Sequence, residues 1–206
     1  DASQNTITID VTSVNDAPAG TNTTVTTNED TVYSFTTTDF GFTDPNDSPA
    51  NALQSVVINT LPALGTLSLA AGASAPGPVT AGQEISAADI AFLRYTPPAN
   101  ANGTGYATFN FQVRDDGGTA NGGVNLDASQ NTITIDVTSV NDAPAGTNTT
   151  ITTNEDTVYS FTATDFGFTD PNDSPANTLQ SVIINTLPAL GTLSLAAGAS
   201  APGPVT

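Results

Sequence analysis

Residues 127–144 read DASQNTITIDVTSVNDAP, and residues 1–18 read the same eighteen letters. Within the stretch, Ile133, Ile135 and Val137 alternate with Thr134, Asp136 and Thr138, the period-two pattern of a strand with one buried and one wet face. The recurrence continues outward. Residues 1–80 return as residues 127–206, a period of 126 residues, and only Val25/Ile151, Thr37/Ala163, Ala52/Thr178 and Val57/Ile183 differ. One short reading therefore predicts both a β-protein and a tandem array.

The period places one complete repeat at residues 17–142. Residues 1–16 are then expected to be the final strand of a preceding repeat, and residues 143–206 the first half of the next, without the counterparts of residues 81–126. On this reading the chain is a window onto a longer polypeptide. A unit of 126 residues is an ordinary domain size and can bury a core without covalent staples.

Composition narrows the chemistry. The chain has seventeen Asp and three Glu against two Arg, with no Lys, His, Cys or Met, for a net charge of −18. Disulfides and thiolate metal sites are excluded. So are a Ser–His triad, a Schiff base and a zinc centre, which leaves paired carboxylates as the only catalytic possibility. Asp115 with Glu29 is the one such pair worth naming, and it would have to be held in a cleft of graded polarity. An acidic surface of this kind has nothing with which to neutralise phosphate, so nucleic acid and anionic bilayers are not expected partners. No apolar run approaches a membrane span, so this segment is not expected to insert. Divalent cations are the natural counter-charge.

Regular alternation of Val, Ile, Leu, Phe and Tyr argues against an acidic disordered tail. Besides Thr132–Thr138 and its twin Thr6–Thr12, strands are expected at 107–114, where Ala107, Phe109, Phe111 and Val113 point inward, and at 23–27, 31–37, 54–59, 66–70 and 92–96. A helical turn is expected near Ser86–Leu93. About seven short strands joined by Gly-, Pro-, Asn- and Asp-rich loops predict an antiparallel β-sandwich whose ends lie at opposite poles, so that copies follow one another in line.

Several motifs occur in a recognisable order: Val14-Asn15-Asp16-Ala17-Pro18, Asn28-Glu29-Asp30, Leu61-Pro62 to Gly65-Thr66-Leu67, Ile85-Ser86 to Asp89-Ile90, Tyr95-Thr96-Pro97, and Phe111 to Asp115. Together, over residues 17–142, they resemble the cadherin-like tandem repeats of giant bacterial surface adhesins. The resemblance implies a secreted, calcium-dependent, immunoglobulin-like extracellular sandwich without catalytic activity that extends a fibre or attaches cells. The linker of calcium-binding cadherins has the form Asp-x-Asn-Asp-Asn. Here only Asn15-Asp16 and Asn141-Asp142 match it, since Ser13 and Ser139 replace the first Asp and Ala17 and Ala143 follow.

Calcium takes six to eight oxygens, mostly carboxylates and carbonyls, so it needs acidic and amide side chains gathered from loops. The candidates are Asn15 and Asp16, Glu29 and Asp30, Asp115 and Asp116, and Asn141 and Asp142, expected to converge at one pole beside Asp165, Asp170 and Asp173 of the following copy. The competing reading of Asn-Asp-Ala-Pro is a bare turn, because Asn and Asp bond their own backbone and Pro presets φ. Asp44-Pro45-Asn46-Asp47-Ser48-Pro49 is open to the same pair of readings, a local calcium site with Asp44 and Asp47 or a surface turn. It is not an EF-hand, since Pro49 and Ser55 stand where Gly and Glu are required.

The expected function is that of a structural extender: neighbouring identical repeats stacked end to end, stiffened by calcium at their junctions. A second expectation is an ordered extracellular filament or sheath in which other copies of the same chain assemble by strand exchange or lateral packing. Binding of polysaccharide or ice by the Thr-rich strands is a third, although Thr suits solvent-facing strands for its branched Cβ alone.

Overall fold

The computed structural model describes residues 4–200 and 202–205; Asp1–Ser3, at the head of the segment expected to close a preceding repeat, lie outside the described residues, as do Ala201 and Thr206. The chain divides into two units. One ends at Asp142 and includes Asn172–Ser174, and the other contains Ala143–Pro171 and the residues from Pro175 onward.

The first unit contains β1 (Thr23–Asn28), β2 (Tyr33–Ser34), β3 (Leu53–Ile58), β4 (Thr66–Leu69), β5 (Gly77–Pro78), β6 (Gln83–Ser86), β7 (Leu93–Thr96), β8 (Gly103–Asp115) and β9 (Asn131–Thr138). They form a five-stranded sheet in the order β1-β9-β8-β3-β6 and a four-stranded sheet in the order β2-β7-β4-β5. The fold is an all-β sandwich, with nine strands where about seven were expected because β5 and β6 carry too few apolar residues to read as strands. Within β6 only Ile85 is buried. The segment expected as a strand at 31–37 is cut to two residues, because Thr37–Phe40 forms a 3₁₀ turn closed by a capping box between Thr36 and Asp39 and by Gly41 in the left-handed region. The helical turn expected at Ser86–Leu93 shrinks to a 3₁₀ turn at Ile90–Phe92.

One pairing departs from the expected antiparallel order. β1 lies parallel to β9, with Thr23 opposite Ile133 and Asn28 opposite Thr138. The consequence is geometric: with its first and last strands running in the same direction, the chain enters the sandwich at one pole and leaves at the other. All other ladders of the sandwich are antiparallel.

The inward residues of both sheets meet as expected from their alternation. Phe109, Phe111 and Val113 of β8 and Ile133, Ile135 and Val137 of β9 are buried. Phe40 meets Phe111 edge-on at 5.0 Å and Phe35 meets Phe109 edge-on at 5.7 Å, the arrangement favoured by the ring quadrupole. Tyr95 is wholly buried and its hydroxyl donates to the Leu64 carbonyl at 3.1 Å.

Residues 6–12 correct one expectation. They are identical to β9 in sequence but form no ladder, and Ile7, Ile9 and Val11 are 88%, 80% and 89% exposed. Their twins Ile133 and Ile135 are 0% exposed. The sequence of β8 occurs once in the chain, and β9 occupies it together with β1. The second unit behaves likewise. It keeps the 3₁₀ turn Ala163–Phe166 with its Thr162–Asp165 capping box, the bridge between Ala145 and Thr169, and a small ladder of β10 (Ser194–Leu195) with β11 (Gly203–Pro204). Thr149–Asn154, the counterpart of β1, forms no strand, and Phe161 is 51% exposed where its twin Phe35 is 1%.

Phe111→Ala removes a fully buried ring at the centre of this core and is expected to destabilise the first unit by about 3–5 kcal/mol. The urea midpoint of the first unfolding transition checks it.

Candidate functional site

Strand register defines two poles in the first unit. Leu53 at the head of β3 faces Asp115 at the tail of β8, and Gly103 at the head of β8 faces Val137 near the tail of β9. Asn15 and Asp16 therefore meet the pole that holds Asp115, while the chain leaves β9 at the other.

At the entry pole, asparagine amides and backbone N–H groups bind the carboxylates together. The Asn15 amide donates to Asp115 Oδ1 at 3.1 Å and to the Val124 carbonyl at 2.7 Å, and the Val124 N–H returns a bond to the Asn15 carbonyl at 2.9 Å. The Asn51 amide donates to the Asn15 side-chain oxygen and, at 3.1 Å, to Asp47. The backbone N–H of Asp16 donates to Asp47 at 3.1 Å, and that of Asn51 to Asp44 Oδ2. Gly117 N–H donates to Asp115 at 2.9 Å. Asp116 accepts from the Ala52 N–H at 2.8 Å and pins the β8 exit to the start of β3. A Cβ at Gly117 would overlap the Asn15 and Asn51 side chains, so the close approach requires glycine. The loop itself follows from Asp44-Pro45 to Pro49, where proline fixes φ and Asp accepts from backbone further along.

The electrostatics of this pole are strained in one direction. Burial pushes the Asp115 carboxyl above its ordinary 3.8, and the charges of Asp44 and Asp47 add to the rise, while Gly117 and Asn15 oppose it. Asp44 is 7% exposed, and its Oδ1 is buried with no hydrogen-bond partner among the described residues; Asp170 Oδ1 in the second unit is in the same state. A buried carboxylate oxygen without a donor is costly. Among the described residues no group of three or more His, Cys, Asp or Glu side chains is gathered closely enough to form a ready metal cage.

At the exit pole, Glu29 is 2% exposed. Its carboxylate accepts from the Asn102 amide at 3.0 Å and from the Val140 backbone N–H at 2.6 Å. The Asn102 bond, then the Val140 bond, hold its pKa below the ordinary 4.5. Asp30 accepts from the Asn100 N–H at 3.1 Å. Asp142 N–H donates to Asp173 at 2.8 Å, the same contact that Asp16 makes with Asp47 one period earlier. The Asn141 amide donates to the Asp142 carbonyl at 3.1 Å.

The expectation of a single convergent pole is therefore corrected. Asn15, Asp16, Asp44, Asp47, Asp115 and Asp116 share the entry pole, whereas Glu29, Asp30, Asn141 and Asp142 share the exit pole with Asp173. Glu29 and Asp115 thus stand apart and form no acid–base pair. Asp165 belongs to neither set: it caps its own 3₁₀ turn, accepting from Thr162 N–H at 2.7 Å. Asp170 accepts from Asn177 N–H at 2.7 Å, as Asp44 does from Asn51. Sequence reasoning missed Asn51 and Asn102, the amides that hold the carboxylates, and Asp127. The last is 4% exposed and accepts from Gly20 N–H at 2.8 Å, Ser129 N–H at 2.9 Å and the Asn131 amide at 2.7 Å, tying the approach to β9 to the start of the repeat. The four-residue spacing of Asp127 and Asn131 was the only local signal for it.

The two perturbed carboxylates act oppositely with pH. Glu29, with a lowered folded pKa, stabilises the fold above 4.5 and loses that contribution as pH falls through the folded value. Asp115, with a raised one, contributes below 3.8 and loses its contribution as pH rises through the folded value. Glu29→Gln should therefore flatten the fall of the urea midpoint on acidification below 4.5; a variant that tracks the unmodified chain would contradict the assignment.

A family model described as "Bacterial Ig domain" matches residues 15–127, more than half of the chain, starting at the Asn15 that anchors the entry pole. No curated protein and no solved structure shows significant similarity. With its two-sheet all-β architecture and this match, the chain belongs to the bacterial Ig domain family, a non-enzymatic class of β-sandwich typical of bacterial surfaces.

Proposed function

We propose that this chain is a structural extender segment of a long secreted adhesin or extracellular fibre of the cadherin-like kind, built from repeats that follow one another in line. The observation that carries the reading is the pair of clamped chain ends. The incoming segment is held at one pole by Asp47, Asn51 and Asp115, and the outgoing segment at the opposite pole by Glu29 through the Val140 N–H. A sandwich held this way transmits position from one linker to the next, which is what a spacer requires. With ten net negative charges per repeat, from twelve acids and two arginines, successive bodies repel unless a cation intervenes.

The donor types at the entry pole suit calcium, although the carboxylates would have to close on it, since no three of them are gathered into a ready cage among the described residues. Asp44, Asp47 and Asp115, with the amide oxygens of Asn15 and Asn51, supply hard oxygen donors from three segments, and the unpartnered Asp44 Oδ1 is a buried oxygen lacking a positive partner. In sequence, Asp170 and Asp173 are the counterparts of Asp44 and Asp47 one period later. Bound there, calcium would cancel charge and tie the loops that grip the linker. In this reading the asparagine amides partly stand in for the cation, satisfying the carboxylates in its absence.

Scattering profiles of the chain with calcium and with chelator are expected to differ, the calcium form showing the larger maximum dimension and less flexibility. Identical profiles would contradict calcium stiffening. Titration calorimetry of Asp44→Asn should show weaker calcium binding by about tenfold or more, since a charged donor is lost; unchanged affinity would exclude this site.

One observation favours a second reading, assembly with other copies by strand exchange. Residues 6–12 present Ile7, Ile9 and Val11 to solvent, and Thr149–Asn154, the counterpart of the β1 to which β9 binds, is without a ladder. Electron micrographs separate the two: single threads support the extender, bundles of constant width the filament.

A further inference from the structure

The sequence has two Asn-Gly pairs, Asn102-Gly103 and Asn121-Gly122. An asparagine followed by glycine is open to attack by the next backbone nitrogen, because glycine has no side chain to hinder the approach. The fold treats the two pairs differently. The Asn102 amide is held by Glu29 Oε2 at 3.0 Å, and Gly103 is fixed in β8 opposite Val137. Asn121 is exposed, lies at φ 55° and ψ 27° in the turn Ala120–Gly122, and makes no side-chain hydrogen bond among the described residues. Gly122 follows at φ 86°. The related Asp116-Gly117 pair is also restrained, since Gly117 N–H is engaged with Asp115 and Asp116 with Ala52.

We propose that Asn121 is a site of spontaneous self-modification to aspartate and isoaspartate that loosens the entry-pole clamp. The Gly122 nitrogen attacks the Asn121 side-chain carbonyl carbon, the bond from that carbon to Nδ2 breaks, and ammonia leaves carrying the proton from the Gly122 N–H. The resulting cyclic imide adds water across one of its two carbonyl–nitrogen bonds, giving aspartate or isoaspartate. Water is the only co-reactant, and the product carries a new negative charge.

The position gives the change a consequence. Asn121 lies three residues before Val124, whose N–H and carbonyl both bind Asn15. Between them Gly123 packs so closely on Asn15 that a Cβ there would stand 3.1 Å from the Asn15 Cβ. Isoaspartate lengthens the main chain by one methylene within this clamp, and the added carboxylate joins a pole already crowded with Asp44, Asp47, Asp115 and Asp116. The inference concerns the clamp alone and is independent of the extender reading.

The test ages the full chain at mildly alkaline pH and follows it by peptide mass mapping and by hydrogen exchange. A gain of one mass unit is expected at Asn121 at least about tenfold faster than at Asn102, the factor that one charge-assisted hydrogen bond is worth. Equal rates, or Asn102 reacting first, would overturn the assignment. The Val124 N–H should lose protection as the modified fraction grows, whereas an Asn121→Gln chain aged in parallel keeps it. Loss of protection in both chains, or in neither, would overturn the link to the clamp.

Discussion

The parallel ladder between β1 and β9 joins the first strand of the repeat to its last, and the rest of the structure depends on it. Six register pairs, from Thr23 with Ile133 to Asn28 with Thr138, close a circuit more than a hundred residues long. Such a contact carries a large loop-closure cost and forms only when everything between its ends is in place. It turns a row of weak antiparallel pairings into one cooperative body. It also explains the contrast between two nearly identical segments of one chain. Thr23–Asn28 is a strand with Val25 buried, whereas Thr149–Asn154, which differs only in Ile151, forms none.

From that closure come the two poles. Because first and last strands run the same way, the chain must arrive at one end of the sandwich and depart from the other. Each end is then secured by a carboxylate accepting from linker backbone: Asp47 from Asp16, and Glu29 from Val140. Hydrogen bonds to a charged acceptor are among the stronger polar contacts available to a chain without lysine or histidine. Asn15, Asn51 and Asn102 supply N–H donors in places where basic side chains would otherwise be needed. Among the described residues, Asp44 Oδ1 is one acceptor that no such donor reaches.

The sequence made the strands legible wherever alternation was strict. β8 and β9 each bury every second residue over their central spans, so Phe109, Phe111, Ile133 and Ile135 could be assigned to the core from spacing alone. β6 was not legible because its single buried residue, Ile85, makes no period, and its strand character is imposed by pairing with β3. Residues 6–12 were legible as a strand and are not one here, since pairing is a property of partners rather than of pattern. For the candidate site, the residue types were readable but their grouping was not. Glu29 and Asp115 terminate strands that run to opposite ends, and which end each reaches depends on the direction of β1 relative to β9. Asn51 and Asn102 escaped notice because an amide has no distinctive spacing. Retention of Asn51 as Asn177 would not have helped, since 76 of the 80 comparable positions are retained (80 minus the four that differ), and Asn102 has no counterpart among them.

Hydrogen exchange on the intact chain compares the two twin segments within a single molecule and so tests the closure directly. The account predicts strong protection of the amides of Thr23–Asn28 and near-unfolded exchange of those of Thr149–Asn154, although the two differ by one methylene. Equal protection of both segments would show that β1 holds its conformation without β9, and would contradict the claim that the closing strand makes the repeat.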